Sequence, residues 1–266
     1  MRLEYLVIGA LTRDIVGQRG WKPGGSSWYA SRAVTGWGGS AAIISPVMSN
    51  LLLELPESIP LLRLPSQATA TFDNSYQGDE RTQYINAIPT ALDWAAIPPA
   101  WRDPAIVHLA PLAGEIASLP ARRLFGRAFV GVTAQGWLRQ WDSSGRISPV
   151  RWRPEPAALA QVDAIVISEE DVGGDETQPR EWAAAGPIVA LTRGAQGVTI
   201  WHSGRQLDIP AVPTTVIDPT GAGDTWAAAF FWQLRQGWAI AAAGTWACAE
   251  AAALIGTPNA PPPVAS

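Results

Sequence analysis

The stretch Thr214–Gln233, TTVIDPTGAGDTWAAAFFWQ, carries most of the information in this chain. Its β-branched residues up to Ile217 predict a strand. Asp218-Pro219-Thr220-Gly221-Ala222-Gly223-Asp224 comes next, and a strong helix-forming run starts at Thr225. The expected order is strand, tight small-residue loop, helix N-terminus. Glycines let backbone N–H groups approach an anion with no Cβ in the way. The helix start adds unpaired donors and a partial positive charge. Asp224 falls at or near the N-cap, where an ionised carboxylate is favoured. A carboxylate beside such a nest suits transfer of a phosphoryl group to a hydroxyl. Asp224 would accept the hydroxyl proton while the amides of Gly221, Ala222 and Gly223 hold the phosphoryl oxygens. A lone Gly-x-Gly-Asp turn is more often a plain helix cap, and it is the seven-residue run that tips the reading toward a site.

Composition narrows the chemistry further. The 266 residues are 47% hydrophobic and 16% charged, which excludes a mostly disordered chain. A net charge of −4 with no basic block argues against a nucleic-acid partner. Cys248 is the only cysteine, so an internal disulfide and a cysteine-based zinc site are excluded. His108 and His202 are too few for a histidine-rich metal centre. Lys22 is the only lysine and no Gly-x-x-x-x-Gly-Lys-Ser/Thr run precedes it, which removes a Walker-type phosphate loop. Carboxylates, backbone amides and arginines remain. The apolar run near the N-terminus is too short for a signal peptide. Trp238–Gly256 is alanine-rich and carries Glu250, so it reads as a buried helix rather than a membrane span. The expectation is a cytoplasmic protein with no membrane partner.

Short apolar runs alternate with helical segments. Strands are predicted at Leu3–Gly9, Ala41–Ser45, Ala105–Ala110, Arg127–Thr133, Ala164–Ser168, Pro187–Thr192 and Thr214–Ile217. Helices are predicted at Gly24–Gly36, Thr177–Ala185, Thr225–Gln236 and Trp238–Leu254. This alternation favours a parallel sheet covered on both faces. Thr69–Asn86 breaks the pattern, alternating apolar and polar residues around Gly78-Asp79, and reads as a half-exposed antiparallel hairpin. Such a hairpin suggests a lid or an oligomer surface, compatible with a monomer or a homodimer. The 14 tryptophans are mostly explained by core packing. The proline-rich tail from Pro258 reads as a frayed end.

Asp218–Asp224, with the following Thr and Ala-rich helix, resembles the C-terminal signature of the ribokinase-like (PfkB) carbohydrate kinases. The resemblance implies an α/β fold, a three-layer α/β/α Rossmann-like sandwich with a small β lid. It implies one domain over residues 1–266, with lid segments near 12–22 and 69–88. It makes Asp224 the catalytic base and Gly221, Ala222 and Gly223 the anion hole. Gly9 followed by Asp14 resembles the family's first strand and sugar-binding Asp, and Gly24-Gly25 before a helix resembles its N-terminal signature. Thr192, Gly194 and Gly197 resemble the nucleotide-holding strand and loop, and Ala247 and Ala251 lie on a segment resembling the helix beside adenine. In some members a monovalent cation lies near the residues corresponding to Asp218 and Thr220. ATP and Mg²⁺ are the implied cofactors.

The departures are specific. Tyr29 stands where many members carry a sugar-contacting Asn, which weighs against a ribose-like mode. Ser168 and Asp171 stand where many carry Asn and Glu near the metal and phosphates, and Asp171 keeps an oxygen ligand for a hard cation. Thr69–Tyr76 with Arg81 and Gln83, His108–Glu115, and Val132–Arg139 resemble segments of the inositol-kinase-like members. Within the last of these, Gln135 and Arg139 could address substrate hydroxyls or phosphates. The expected function is therefore ATP-dependent phosphorylation of a small sugar or polyol, with myo-inositol or a related polyol first. A nucleoside or ribose kinase of the same fold and an inactive ligand-binding or regulatory homologue are the alternatives. A dinucleotide-dependent dehydrogenase is excluded, because no Gly-x-Gly-x-x-Gly follows the first strand.

Overall fold

The computed structural model describes residues 3–17, 20–51, 55–77 and 80–256. Fully buried apolar runs form the middle of its larger sheet. These are β1 (Tyr5–Gly9), β4 (Ala41–Val47), β8 (Ile106–Ala110), β9 (Phe129–Thr133), β12 (Ala164–Ser168) and β13 (Ile188–Thr192). Near-continuous apolar strands of this kind are what a parallel sheet covered on both faces requires. With β5 (Leu61–Pro65), β14 (Val198–His202) and β15 (Arg205–Ile209), the nine strands run β15-β14-β13-β12-β9-β8-β1-β4-β5. All neighbours are parallel except β13–β14 and β14–β15, which are antiparallel.

The two faces are covered differently. On one lie α1 (Ser26–Gly36), α4 (Ala222–Arg235) and α5 (Ile240–Ile255), which share a core with Val7, Val166, Phe230 and Phe231. On the other, α3 (Thr177–Ala184) and the one-turn α2 (Pro156–Leu159) are joined by short 3-10 turns, and tryptophans complete the cover. Trp137 stacks on Trp152 with ring centroids 4.7 Å apart, and Trp152 meets Trp182 edge-on at 5.1 Å. Large rings thus do on this face what helices do on the other, which accounts for part of the tryptophan content. Trp238, placed in a helix by the sequence reading, precedes α5 and is 48% exposed.

A second sheet has the order β3-β2-β6-β7, from β2 (Thr12–Ile15), β3 (Trp21–Gly24), β6 (Ala70–Gln77) and β7 (Glu80–Ala87). The expected hairpin is present as β6–β7, while Gly78 and Asp79 lie outside the described residues. So does the proline-rich tail. Part of the β7 edge is taken by the chain itself. The N–H of Ile85 donates to the carbonyl of Gly145 (2.8 Å), beside a bridge between Tyr84 and Arg146. Those residues belong to the turn of a small hairpin, β10 (Arg139–Trp141) and β11 (Ile147–Pro149).

One predicted element is absent. Thr214–Ile217 is irregular, with Val216 and Ile217 more than half exposed. Its residues suit a strand, but no strand lies alongside to accept the ladder. The N–H groups of Ile217 and Asp218 turn instead to the carbonyl of Ile255 at the end of α5 (2.8 and 3.4 Å).

Candidate active site

The crevice at the C-terminal ends of the parallel strands collects the site residues, as expected of an open α/β sheet. Gly221 adopts the left-handed conformation (φ 83°) that turns the loop into α4. A Cβ on Gly221 would lie 2.2 Å from the ring of Tyr29, so only glycine fits there. Tyr29 itself is buried under the loop. The residue standing where many members carry a sugar-contacting Asn thus forms the floor of the 218–224 loop. The N–H of Ala222 closes a turn on the Pro219 carbonyl (3.2 Å), while the space beside Gly223 is open.

Asp224 stands in the first turn of α4, half-buried. Burial pushes its carboxyl up to about 6, and the neighbouring charges of Asp171 and Asp14 push the same way. A hydrogen bond from Ser26 and the positive charge of Arg139 pull it back. Three residues predicted from separate motifs, Asp14, Asp171 and Arg139, are therefore close enough to act on Asp224. Asp14 sits on β2 and accepts from the Thr12 hydroxyl (2.8 Å). Gly24 lies directly opposite Thr12, and a Cβ there would strike the Asp14 carboxylate at 2.1 Å.

On the other side of the crevice, Asp171 is held from two directions. Gln135 Nε2 donates to Oδ1 (3.0 Å), and the backbone N–H and hydroxyl of Ser168 donate to Oδ2 (3.0 and 2.7 Å). Ser168 and Thr192 are register partners at the ends of β12 and β13, and a 3-10 turn at Gly194–Gln196 follows. Arg193 is engaged by Glu169, Glu176 and Thr199. Two residues expected to contact a nucleotide have packed surroundings. Ala247 is wholly buried between α5 and the sheet, and Gly197 packs against the Ile209–Ala211 backbone. Ala251, one turn beyond Ala247, is half-buried.

Several contributors carried no readable signal. Ser26 bonds Asp224 from α1, and Lys22 Nζ lies 3.7 Å from Asp218 Oδ2. Asp218 also accepts from the Thr220 side chain and N–H (2.9 Å for the N–H), and these partners with Lys22 hold its carboxyl below the usual range against the opposing effect of burial. Glu115 is fully buried and accepts from the N–H groups of Ala10 (2.8 Å), Leu112 (3.0 Å) and Ala113 (2.7 Å), tying the ends of β1 and β8 together. His108 lies buried between Tyr5 and Thr133, and burial lowers its imidazole to about 3, so it is a neutral structural group. Cys248 is buried and accepts from the Trp226 ring N–H.

The fold is that of the ribokinase-like kinases. A pyrophosphate-dependent kinase in the ribokinase family, solved with a pyrophosphate analog and myo-inositol, superposes with a TM-score of 0.75 at 20% identity, covering 95% of this chain and 93% of that one. A pyrophosphate-dependent myo-inositol-1 kinase converted into a myo-inositol-3 kinase gives 0.79 at 18%, covering 96% and 94%. Arabidopsis thaliana ribokinase, solved with ribose and ATP, gives 0.69 at 15%, covering 98% and 95%. Residues 151–265 match the model of the pfkB family carbohydrate kinases, which bears out the resemblance drawn from the 218–224 loop. Inositol 3-kinase of Zea mays is 31% identical over 103 residues, 37% of this chain and 26% of that protein. A 5-dehydro-2-deoxygluconokinase of Clostridium tetani is 31% identical over 91 residues, 34% of this chain and 27% of that protein. These alignments span about a quarter of the curated relatives' own length. Among the described residues no helix is long and apolar enough to cross a membrane.

Proposed function

We propose that this chain transfers a phosphoryl group to a hydroxyl of a small sugar or polyol, with myo-inositol or a related polyol as the acceptor tested first. The observation that carries the reading is Asp224. It is half-buried in the first turn of α4, beside the open face of Gly223, and senses Asp14 from the small sheet. Asp14 would orient the acceptor. Ionised Asp224 would take the proton of the attacking hydroxyl, and the Gly221 and Gly223 amides would stabilise charge on the transferred group. Ser26 holds the Asp224 carboxylate in place. The small sheet acts as the lid, keeping water from competing as acceptor. One domain built on the larger sheet fits this division of labour.

Mg²⁺ suits the donor side. Asp171 Oδ1 keeps lone-pair capacity beyond the bond from Gln135, while Oδ2 already takes the N–H and hydroxyl of Ser168, and the Asp171 charge reaches the Asp224 carboxyl. Asp171 would hold the ion, directly or through water, and the ion would neutralise donor phosphate charge.

ATP is the donor that the resemblance implies, with Thr192 and Gly194 at the strand end nearest Ser168. Pyrophosphate is a second reading, favoured by a specific observation. Ala247 has no exposed surface to offer an adenine ring, and two structural neighbours are named as pyrophosphate-dependent.

The test is phosphate transfer from MgATP and from magnesium pyrophosphate, each against myo-inositol, other polyols, ribose, hexoses and nucleosides, with Asp224→Asn as control. Turnover on a polyol, reduced about 10²–10⁴-fold in the variant, supports the reading. Preference for ribose or a nucleoside would shift the acceptor class. Silence with every pair, while donor binding persists, would favour a regulatory ligand-binding role.

A further inference from the structure

Lys22 has no role in the scheme above, yet it spans the junction between the two sheets. It lies on β3 directly opposite Asp14 on β2. Directly opposed residues of an antiparallel pair project from the same face. The ammonium therefore leaves the small sheet beside the acceptor-orienting carboxylate, and it ends 3.7 Å from Asp218 Oδ2 on the larger body. Asp218 Oδ1 in turn accepts the Thr220 N–H at 2.9 Å. The result is a continuous path from ammonium to carboxylate to backbone, one residue short of Gly221. Both side chains are about a quarter exposed. An ion pair that exposed adds little stability by itself, so its consequence lies in what it positions.

We propose that Lys22 is a positioning residue for phosphoryl transfer, which through Asp218 fixes the 218–224 loop in its donor-receiving conformation when the small sheet is closed. The proposal rests on the phosphotransferase reading of the site. A phosphate donor enters a crevice that already holds the carboxylates of Asp14, Asp171, Asp218 and Asp224. Each of these charges repels the donor. Lys22 offsets one of them, and its ammonium does so only while the small sheet lies against the loop. Loss of the ammonium leaves Asp218 with its bonds from Thr220 but no positive charge, and returns its negative charge to the donor's path.

The single lysine makes the test direct. Reductive methylation with ¹³C-formaldehyde keeps the charge and labels Lys22 and the chain's amino terminus. The Lys22 signal is the one missing from Lys22→Arg. The labelling is done in the Asp224→Asn background, so that donor binding is read without turnover. Magnesium pyrophosphate and MgATP are then added in turn. The expected result is a shift of the Lys22 signal with at least one donor and a smaller shift in Asp218→Asn. In the otherwise unaltered enzyme, Lys22→Met should raise donor KM and lower kcat/KM about 10- to 100-fold, with acceptor KM within threefold. Lys22→Arg should recover most of the loss. Circular dichroism melting of each variant separates a folding defect from a site defect.

Turnover with an unmoved Lys22 signal and a near-normal Lys22→Met overturns the proposal and leaves the kinase reading standing. A donor-dependent, Asp218-dependent Lys22 signal without turnover on any acceptor supports the placement of Lys22 and overturns the kinase reading.

Discussion

The ring of Tyr29 lies directly beneath Gly221, 2.2 Å from where a Cβ would stand. The aromatic residue of α1 and the glycine of the 218–224 loop therefore fit as one unit, although they are far apart in sequence. Gly221 also has a φ of 83°, which L side chains rarely adopt. Gly221→Ala meets both obstacles at once. It should cost about 1–3 kcal/mol in stability and reduce kcat by at least 100-fold. Tyr29→Leu in the same chain relieves the ring clash but not the φ strain, so only part of the stability should return. Thermal melts and steady-state kinetics on the two variants check this.

Asp224 sets a pH limit. As the proposed general base it acts only when ionised, so kcat/KM should rise with pH and level off above about 6. The same shift bears on stability. Burial raises the folded-state pKa above the ordinary carboxylate value of about 3.8. The stability linked to the protonated form is present below that value and lost as pH rises through about 6. Asp224→Asn, though its turnover is reduced about 10²–10⁴-fold, should therefore be more stable than the parent at pH 8, by at most ~3 kcal/mol, with the gap closing toward pH 4. Denaturant titrations at the two pH values measure it.

Glu115 is expected to be structural in a way that its distance from the chemistry conceals. Both of its oxygens accept backbone N–H groups in a fully buried site. Burial pushes its carboxyl up, and those N–H bonds pull it back down. Glu115→Gln replaces an acceptor with an NH₂ facing an N–H donor, and should lower stability by about 2–4 kcal/mol. Because Ala10 leads directly into the strand of Asp14, acceptor KM should rise as well. Chemical denaturation and acceptor titration test the pair of effects.

The loop 218–224 and the helix behind it were legible in the sequence because their instructions are local. Glycine at a left-handed position, small residues and an acidic first turn specify a tight turn into a helix N-terminus without reference to the rest of the chain. The buried parallel strands were legible for a similar reason, since continuous apolar runs bounded by polar residues leave few alternatives. Thr214–Ile217 was misread because strand propensity describes a residue's fit to a sheet, while a strand also needs a neighbour to bond. Here the backbone was claimed by the end of α5.

Residue type and spacing thus pointed to a parallel α/β sheet and to a candidate site in the 218–224 loop ending at Asp224, and the family resemblance added Asp14 and Asp171. The tertiary structure decided that Tyr29 supports the loop, that Ala247 is core, and that Ser26, Lys22 and Glu115 stand around the site. Those assignments rest on through-space contacts between segments about 100 to 200 positions apart, such as Ala10 with Glu115 and Lys22 with Asp218. Electrostatics and packing act over a few ångströms of space, whatever the length of chain between the partners, so no local pattern records them.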